Sequence, residues 1–311
     1  MLFSFHGDAM NTPHMNLVKL TEQFGTDEKC RKALEQLRWK DGVVCPRCKS
    51  KATPISAREQ FDCDSCHYQF SVTTGTMFHD SHLSLWKWFI TVALLCEAKK
   101  GMSACQIQRT IGVSYKTAWY LTHRVRAAMQ ESEPKPMSGA VEIDETYVGG
   151  KPRKWRPVQK KQVVIGIRQR NGDLRLIRAT NSKAKTVREI VNANVGGHVE
   201  VILTDESMIY PYALNHFDTK KHKTINHSKE YAHGDVHTNT VESAFSLLKR
   251  GIIGTWHKVS AKHLPAYLDE MCFRFNNRKN PYLFRDTIIK LIQTPNLEYK
   301  NLTATMQEPA A

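Results

Sequence analysis

Apolar positions recur at three- and four-residue steps through the first part of the chain, and strand-like runs join them beyond its middle. Residues 27–39 carry Cys30, Leu34 and Leu37 on one side and stop at the turn signal Asp41-Gly42. From Leu83 onward, Trp86, Phe89, Ile90, Ala93 and Leu94 mark a second helix. Residues 103–111 predict a short helix, Gly112-Val113 a turn, and Ser114 caps a longer helix buried along Ala118, Leu121, Val125 and Met129. Short helix, glycine-containing turn and longer helix form a helix-turn-helix pattern. Tyr115 and Lys116, near the start of the second helix, are then expected to reach base edges, and Arg124 and Arg126 to meet phosphates. An ordinary helical hairpin is the competing reading.

Residues 131–137, with Pro134 and Pro136, read as a linker. Strands are expected over 140–149 and, around the hairpin turn Asn171-Gly172, over 163–170 and 174–180. A helix over 183–195, a strand over 199–203, a short helix over 208–214 and an edge strand over 219–225 follow. Next come a helix over 237–251 and a long amphipathic helix over 261–278, capped by Ser260, with Leu264, Tyr267, Leu268, Met271 and Phe275 inward. A last helix near 282–292 precedes a polar tail. Strand, hairpin, helix, strand, helix, strand, helix fits an α/β, ribonuclease-H-like domain: a mixed sheet flanked by helices, its first and fourth strands adjacent. The expected domains are a helical segment over 1–40, a ribbon over 41–80, a helix-turn-helix region over 81–132, the α/β domain over 138–295 and a flexible tail over 296–311.

Charge and cysteines sharpen this picture. Lysine and arginine total 45 against 30 acids among 311 residues, a net +15 that favours polyanionic partners, nucleic acid foremost. No export signal or run long enough to span a bilayer is evident, so cytoplasm is the expected compartment. Cys45-Pro-Arg-Cys48 and Cys63-Asp-Ser-Cys66 offer four thiolates on two tight turns, the donor set of structural zinc. Cys30, Cys96, Cys105 and Cys272 fall in apolar helical patterns and are expected to be packed.

The helix over 237–251 has two faces. Val241, Ala244, Phe245, Leu247 and Leu248 form an apolar arc, while Asn239, Glu242, Ser246 and Lys249 form a polar stripe opposite. Asn239 as N-cap with Glu242 as its capping-box partner explains part of that stripe. Two acids upstream suggest more, because Asp144 ends the strand-like AVEID and Asp205 ends VEVILTD. Adjacent strands bring those aspartates side by side, with Glu242 arriving from the helix. Three carboxylates in such a cluster repel by about 4 kcal/mol per pair at an effective dielectric near 20, so a cation is needed. Magnesium or manganese fits, and two such ions about 4 Å apart clamp a phosphodiester under attack. Glu145 and Glu206, one residue on, are expected to face the other way and support the site. Lys249, two turns beyond Glu242, is placed to hold a DNA phosphate, and the basic stretch 151–161, with Lys154 and Arg156, to contact DNA. His233, Asp235 and His237 alternate in a loop and form a lesser metal candidate.

With these residues in place, the chain resembles bacterial insertion-sequence transposases with an N-terminal zinc ribbon and a DDE-type catalytic domain. The likeness covers the ribbon, YQFSVTTGTMFHDSHL, the helix-turn-helix, VEIDETYVGG, ILTDES, HTNTVESAFSLLKRGIIGTWHKVS and FRFNNR. It implies metal-dependent cleavage and strand transfer of DNA at element ends, in a complex of several copies. It further implies that Asp144 and Asp205 are the two aspartates and Lys249 the downstream basic residue. The third position falls to Glu242 or Asn239, since some members use asparagine where others use glutamate. A DNA-binding regulator with a non-catalytic domain and a nuclease of the same fold are the rival readings.

Overall fold

The computed structural model describes residues 9–55, 58–149, 161–225 and 237–304, and the chain divides into two compact units. The first comprises residues 1–129 and 279–311, the second residues 130–278.

In the first unit, helices α1 (Leu17–Phe24) and α2 (Asp27–Arg38) start at Asn16 and Thr26, whose side chains accept from the backbone N–H three residues on. Strands β1 (Ala52–Ile55), β2 (Gln60–Cys63) and β3 (Gln69–Phe70) make a three-stranded antiparallel ribbon. Its small core is Phe61 and Phe70, with Trp39 and Tyr68 packed against them. Helix α3 (Leu85–Glu97) is apolar on nearly every side and is buried accordingly. Helices α4 (Ala104–Ile111) and α5 (Tyr115–Met129) meet through Gly112, which takes φ +61°, the left-handed conformation that glycine adopts without strain. The expected short helix, glycine-containing turn and longer helix are present.

The second unit opens with β4 (Met137–Val148), β5 (Gln162–Gln169) and β6 (Leu174–Ala179), followed by α6 (Ala184–Asn194) and β7 (Val195–Asp205). Then come α7 (Ile209–Ala213), β8 (His222–Ile225), α8 (Asn239–Gly251) and α9 (Leu264–Asn276). The sheet order is β6-β5-β4-β7-β8. β5 runs antiparallel to its neighbours β4 and β6, while β4, β7 and β8 are parallel. This is the ribonuclease-H-like sheet that the element order predicts, with the first and fourth strands adjacent.

Alternation along β4 and β5 sends Ile143, Ile165 and Ile167 to one face, where Val187 and Val191 of α6 and Tyr210 of α7 cover them. Val148 and Val164 go to the other face, under Val241, Phe245 and Leu248 of α8 and Leu268 of α9. Gly166 lets α8 come close, since a Cβ there would lie 2.7 Å from the Phe245 ring and from Val241.

Two expectations at the C-terminal end need correcting. Helix α10 (Leu283–Gln293), assigned from sequence to the α/β domain, belongs to the first unit. There Phe284 packs against Phe24 and Phe89, and Met77 donates its N–H to Leu291 at 2.9 Å. The described part of the tail, residues 296–304, also carries structure that its polarity does not imply. Helix α11 (Tyr299–Thr303) sets the Tyr299 ring edge-on to Tyr120 at 5.3 Å.

Candidate active site and metal centres

The two CxxC turns of the ribbon are built alike. Lys49 and His67, each four residues after the first cysteine of its pair, take left-handed φ of 64° and 53° and donate their N–H groups back to Cys45 and Cys63 at 3.0 Å. The turns face each other, and all four Sγ atoms lie within 4.8 Å of one another. Cys45 and Cys66 are 3.8 Å apart, Cys48 and Cys63 3.3 Å, Cys48 and Cys66 3.4 Å. Tetrahedral zinc with bonds of about 2.3 Å requires sulfurs roughly 3.8 Å apart, so the four cysteines fit a zinc ion. Burial pushes the Cys30 and Cys272 thiols up to about 12, as packed thiols should be. Cys105 departs from expectation and is exposed.

The acidic site forms where β4 runs past β7. The last paired residues of those strands are Glu142 and Leu203, so Asp144 and Asp205 lie two residues beyond on each. Asp144 pairs across to Gly166, on the face that α8 covers. Burial raises the Asp144 carboxyl to about 7, and the nearby charges of Glu145, Asp205 and Glu242 add to the shift. The Glu145 N–H opposes it by donating to Asp144 Oδ1 at 2.8 Å. Asp205 Oδ1 accepts from the Ser207 N–H at 3.1 Å. Glu242 is exposed, and its Oε1 accepts from the Thr238 hydroxyl at 3.0 Å. Asn239, Ser246 and Lys249 share its exposure, so the polar stripe read from the sequence is a real surface.

These donors are hard oxygens, the kind that magnesium and manganese take with several waters retained. Among the described residues, however, only the four cysteine sulfurs form a group of three or more metal-ligand atoms close together. The acids are near enough to raise Asp144, yet more loosely gathered.

The supporting acids follow the pleat. Glu145 faces away from Asp144, and its Oε2 accepts from the Tyr210 hydroxyl in α7. Burial is the main cause that raises the ionisations of both partners. Glu206 is exposed beyond the end of β7.

Sequence reading missed Glu142, which its place in an apolar strand disguised. It is fully buried, and Oε2 accepts from Thr240 N at 3.0 Å, Val241 N at 3.1 Å and the Thr240 hydroxyl at 2.6 Å. Oε1 accepts from Arg170 Nε at 2.9 Å and lies 3.4 Å from His237 Nδ1. The capping expectation is corrected with it. The N-cap of α8 is Thr238, not Asn239, and it makes no side-chain cap; the free amides are met by Glu142 instead. Ser260 is not the N-cap of α9 but closes the turn before it, its Oγ accepting from the His263 N–H at 3.4 Å and its carbonyl from the Leu264 N–H at 3.0 Å. The α9 N-cap is His263, with Pro265 in the first turn.

Among the expected DNA contacts, Tyr115 is 51% exposed and Lys116 is exposed, its Nζ 4.6 Å over the Tyr299 ring. Arg124 and Arg126 are corrected to structural roles. Arg124 is buried, lies 4.9 Å over the Trp88 ring and donates to the carbonyls of Met77 and His79 and to Asn296 Oδ1. Arg126 is buried and donates to the Thr122 hydroxyl at 3.2 Å. After its first turn α5 is surrounded on almost every side, so a one-sided apolar stripe misjudges it. Lys154, Arg156, His233 and Asp235 lie outside the described residues, and His237 faces Arg170 and Glu142. Among the described residues, no helix is long and apolar enough to cross a membrane.

Residues 136–276 match the ISXO2-like transposase domain family, and residues 25–69 match the transposase zinc-ribbon domain family. A Halobacterium salinarum protein, described as an uncharacterized protein in transposable element ISH50, is 27% identical over 266 residues, covering 79% of this chain and 89% of its own. A Mos1 transposase paired-end complex with left transposon end is similar at 11% identity and a TM-score of 0.28, over 66% of this chain and 75% of that one. A pre-cleavage Mos1 transpososome is similar at 12% identity and 0.26, over 93% and 96%. Neither likeness is close enough to bear on fold or function. Two matched domains of one kind of protein, joined on a single chain with a relative from a transposable element, make this chain similar to insertion-sequence transposases that carry a zinc ribbon and an ISXO2-like transposase domain.

Proposed function

We propose that this protein is a transposase that cleaves DNA at the ends of its element and joins them to target DNA with magnesium or manganese held by Asp144, Asp205 and Glu242. The observation that carries the reading is the meeting of Asp144, on β4, with the charges of Asp205 and Glu242 from β7 and α8. A buried carboxyl whose proton affinity is raised by burial and then by neighbouring acids is one that a bound cation would favour in its ionised form. When bound, the cation neutralises the acids and polarises the phosphate under attack. Asp144 would hold the cation as a carboxylate, beside Asp205, which is held in orientation by the Ser207 N–H. Glu242 is the third member because it is a carboxylate close enough for its charge to act on Asp144. Asn239 is a neutral residue in the first turn of the same helix. Lys249, exposed further along that helix, holds a phosphate of the DNA.

The first unit recognises the element ends, with Tyr115 and Lys116 of α5 as its contacts and one zinc ion on the four cysteines holding the ribbon together. More than one copy acts in the complex, because two ends must be handled together. The test uses a labelled duplex carrying the terminal repeat that flanks the gene. Wild type should cut it in magnesium, and Asp205→Asn should bind it without cutting. If Asp205→Asn cuts at the wild-type rate, the reading is wrong.

A further inference from the structure

We propose that Glu142 is a positioning residue that sets where α8, and with it Glu242, stands relative to Asp144. The proposal rests on the reading of Asp144, Asp205 and Glu242 as one metal site. A helix is usually capped by a residue of its own chain segment, which orders the helix and fixes nothing else. Here Thr238 makes no side-chain cap, and the amides of Thr240 and Val241 donate to a carboxylate on the central strand. The Thr240 hydroxyl adds a third bond to the same oxygen at 2.6 Å. A cap lent by a strand locks the start of the helix to one register on the sheet. That register matters, because Glu142 and Asp144 are two residues apart on one face of β4, about 7 Å along the strand. Val241, gripped by Glu142, adjoins Glu242.

The other carboxylate oxygen is committed too. Arg170 Nε donates to it at 2.9 Å, and Arg170 Nη2 donates to the His237 carbonyl at 3.1 Å, tying down the residue before the N-cap. Glu142 is 0% exposed, so the partners of its carboxyl are Arg170 and the first-turn amides of α8 and not water. A neutral polar residue would fill the space without matching both partners. Phe245 seated on Gly166 supplies the second fixed point one turn on, and together the two contacts hold α8 against sliding or tilting.

The experiment compares Glu142→Gln and Thr240→Val with wild type as zinc-loaded full-length protein. Hydrogen exchange should be at least tenfold faster in the first turn of α8 in Glu142→Gln, with the protection of β4 and β5 retained. Manganese affinity, read without DNA from the signal of free manganese, should fall about tenfold. End cleavage should lose kcat tenfold or more, with KM for DNA changed less than twofold. If Glu142→Gln loses protection across the whole sheet, Thr240→Val decides, since it leaves Glu142 and Arg170 paired. It should show the same local pattern at about threefold. Faster exchange in α8 with manganese affinity unchanged overturns the positioning role. Wild type that binds no manganese overturns the metal site itself and this proposal with it, so the two failures are told apart.

Discussion

Asp144→Asn should stabilise the sheet unit whenever magnesium and manganese are absent, and increasingly so as pH rises. Burial, then the charges of Glu145, Asp205 and Glu242, hold the Asp144 carboxyl at about 7 against an ordinary 3.8. The folded chain therefore binds this proton more tightly than the unfolded chain does. The stability tied to the group is present in full below pH 3.8 and is lost as pH climbs to about 7. Ionising the carboxyl in place costs about 4 kcal/mol at most, at about 1.4 kcal/mol per tenfold change in proton affinity. Solvent reaches the half-buried side chain and screens it, which leaves about 2 kcal/mol. Asparagine keeps the shape, can still accept from the Glu145 N–H and never ionises. Hydrogen exchange of β5 peptides in zinc-loaded protein reads opening of this unit without assuming that the whole chain unfolds in one step. Near pH 8 the variant should be protected by about 2 kcal/mol more than wild type, with the gain shrinking as pH falls towards 4. Magnesium added to wild type should close the gap, since it favours the ionised form. A variant no better protected than wild type near pH 8 would refute the electrostatic reasoning.

The other expectations are simpler to read. Cys48→Ser should abolish zinc by elemental analysis and expose residues 41–72 to protease while residues 130–278 stay intact, because structural zinc contributes about 10–16 kcal/mol to folding of a small zinc domain. Gly166→Ala should push Phe245 and Val241 outward, cost about 1–3 kcal/mol and slow end cleavage more than it weakens DNA binding. Arg124→Ala should leave its three acceptors unsatisfied and cost about 3 kcal/mol or more by thermal unfolding, with the salt dependence of DNA binding unchanged. Lys116→Ala should instead reduce that salt slope by about 0.9.

Much of this architecture was legible because local signals agreed with one another. Asn171-Gly172 marks the β5–β6 hairpin, the alternation in AVEID and VEVILTD marks β4 and β7, and the chain order leaves few topologies. Two CxxC turns mark the four cysteines that the ribbon brings together. The misreadings share one cause, since periodicity tells which face of an element is apolar and not how many neighbours surround it. Arg124 and Arg126 looked like a solvated face, but α5 has neighbours there too. Tyr282–Ile292 follows the α/β domain in sequence, yet Phe284 finds its aromatic partners near the N-terminus. Glu142 was hidden because a buried acid is satisfied only by groups far away in sequence, here Thr240 and Arg170. The placement of Asp144 and Asp205 at neighbouring strand ends was within reach, because it follows from strand order.

The most direct measurement follows a labelled element end joined to target DNA, in magnesium and in manganese, by wild type, Glu242→Gln and Asn239→Ala. Wild type should give joined product in both metals. Glu242→Gln should bind the end and give none, and Asn239→Ala should retain most of the joining activity. Normal joining by Glu242→Gln, together with a folded but inactive Asn239→Ala, would contradict the account and make the asparagine the third member of the site.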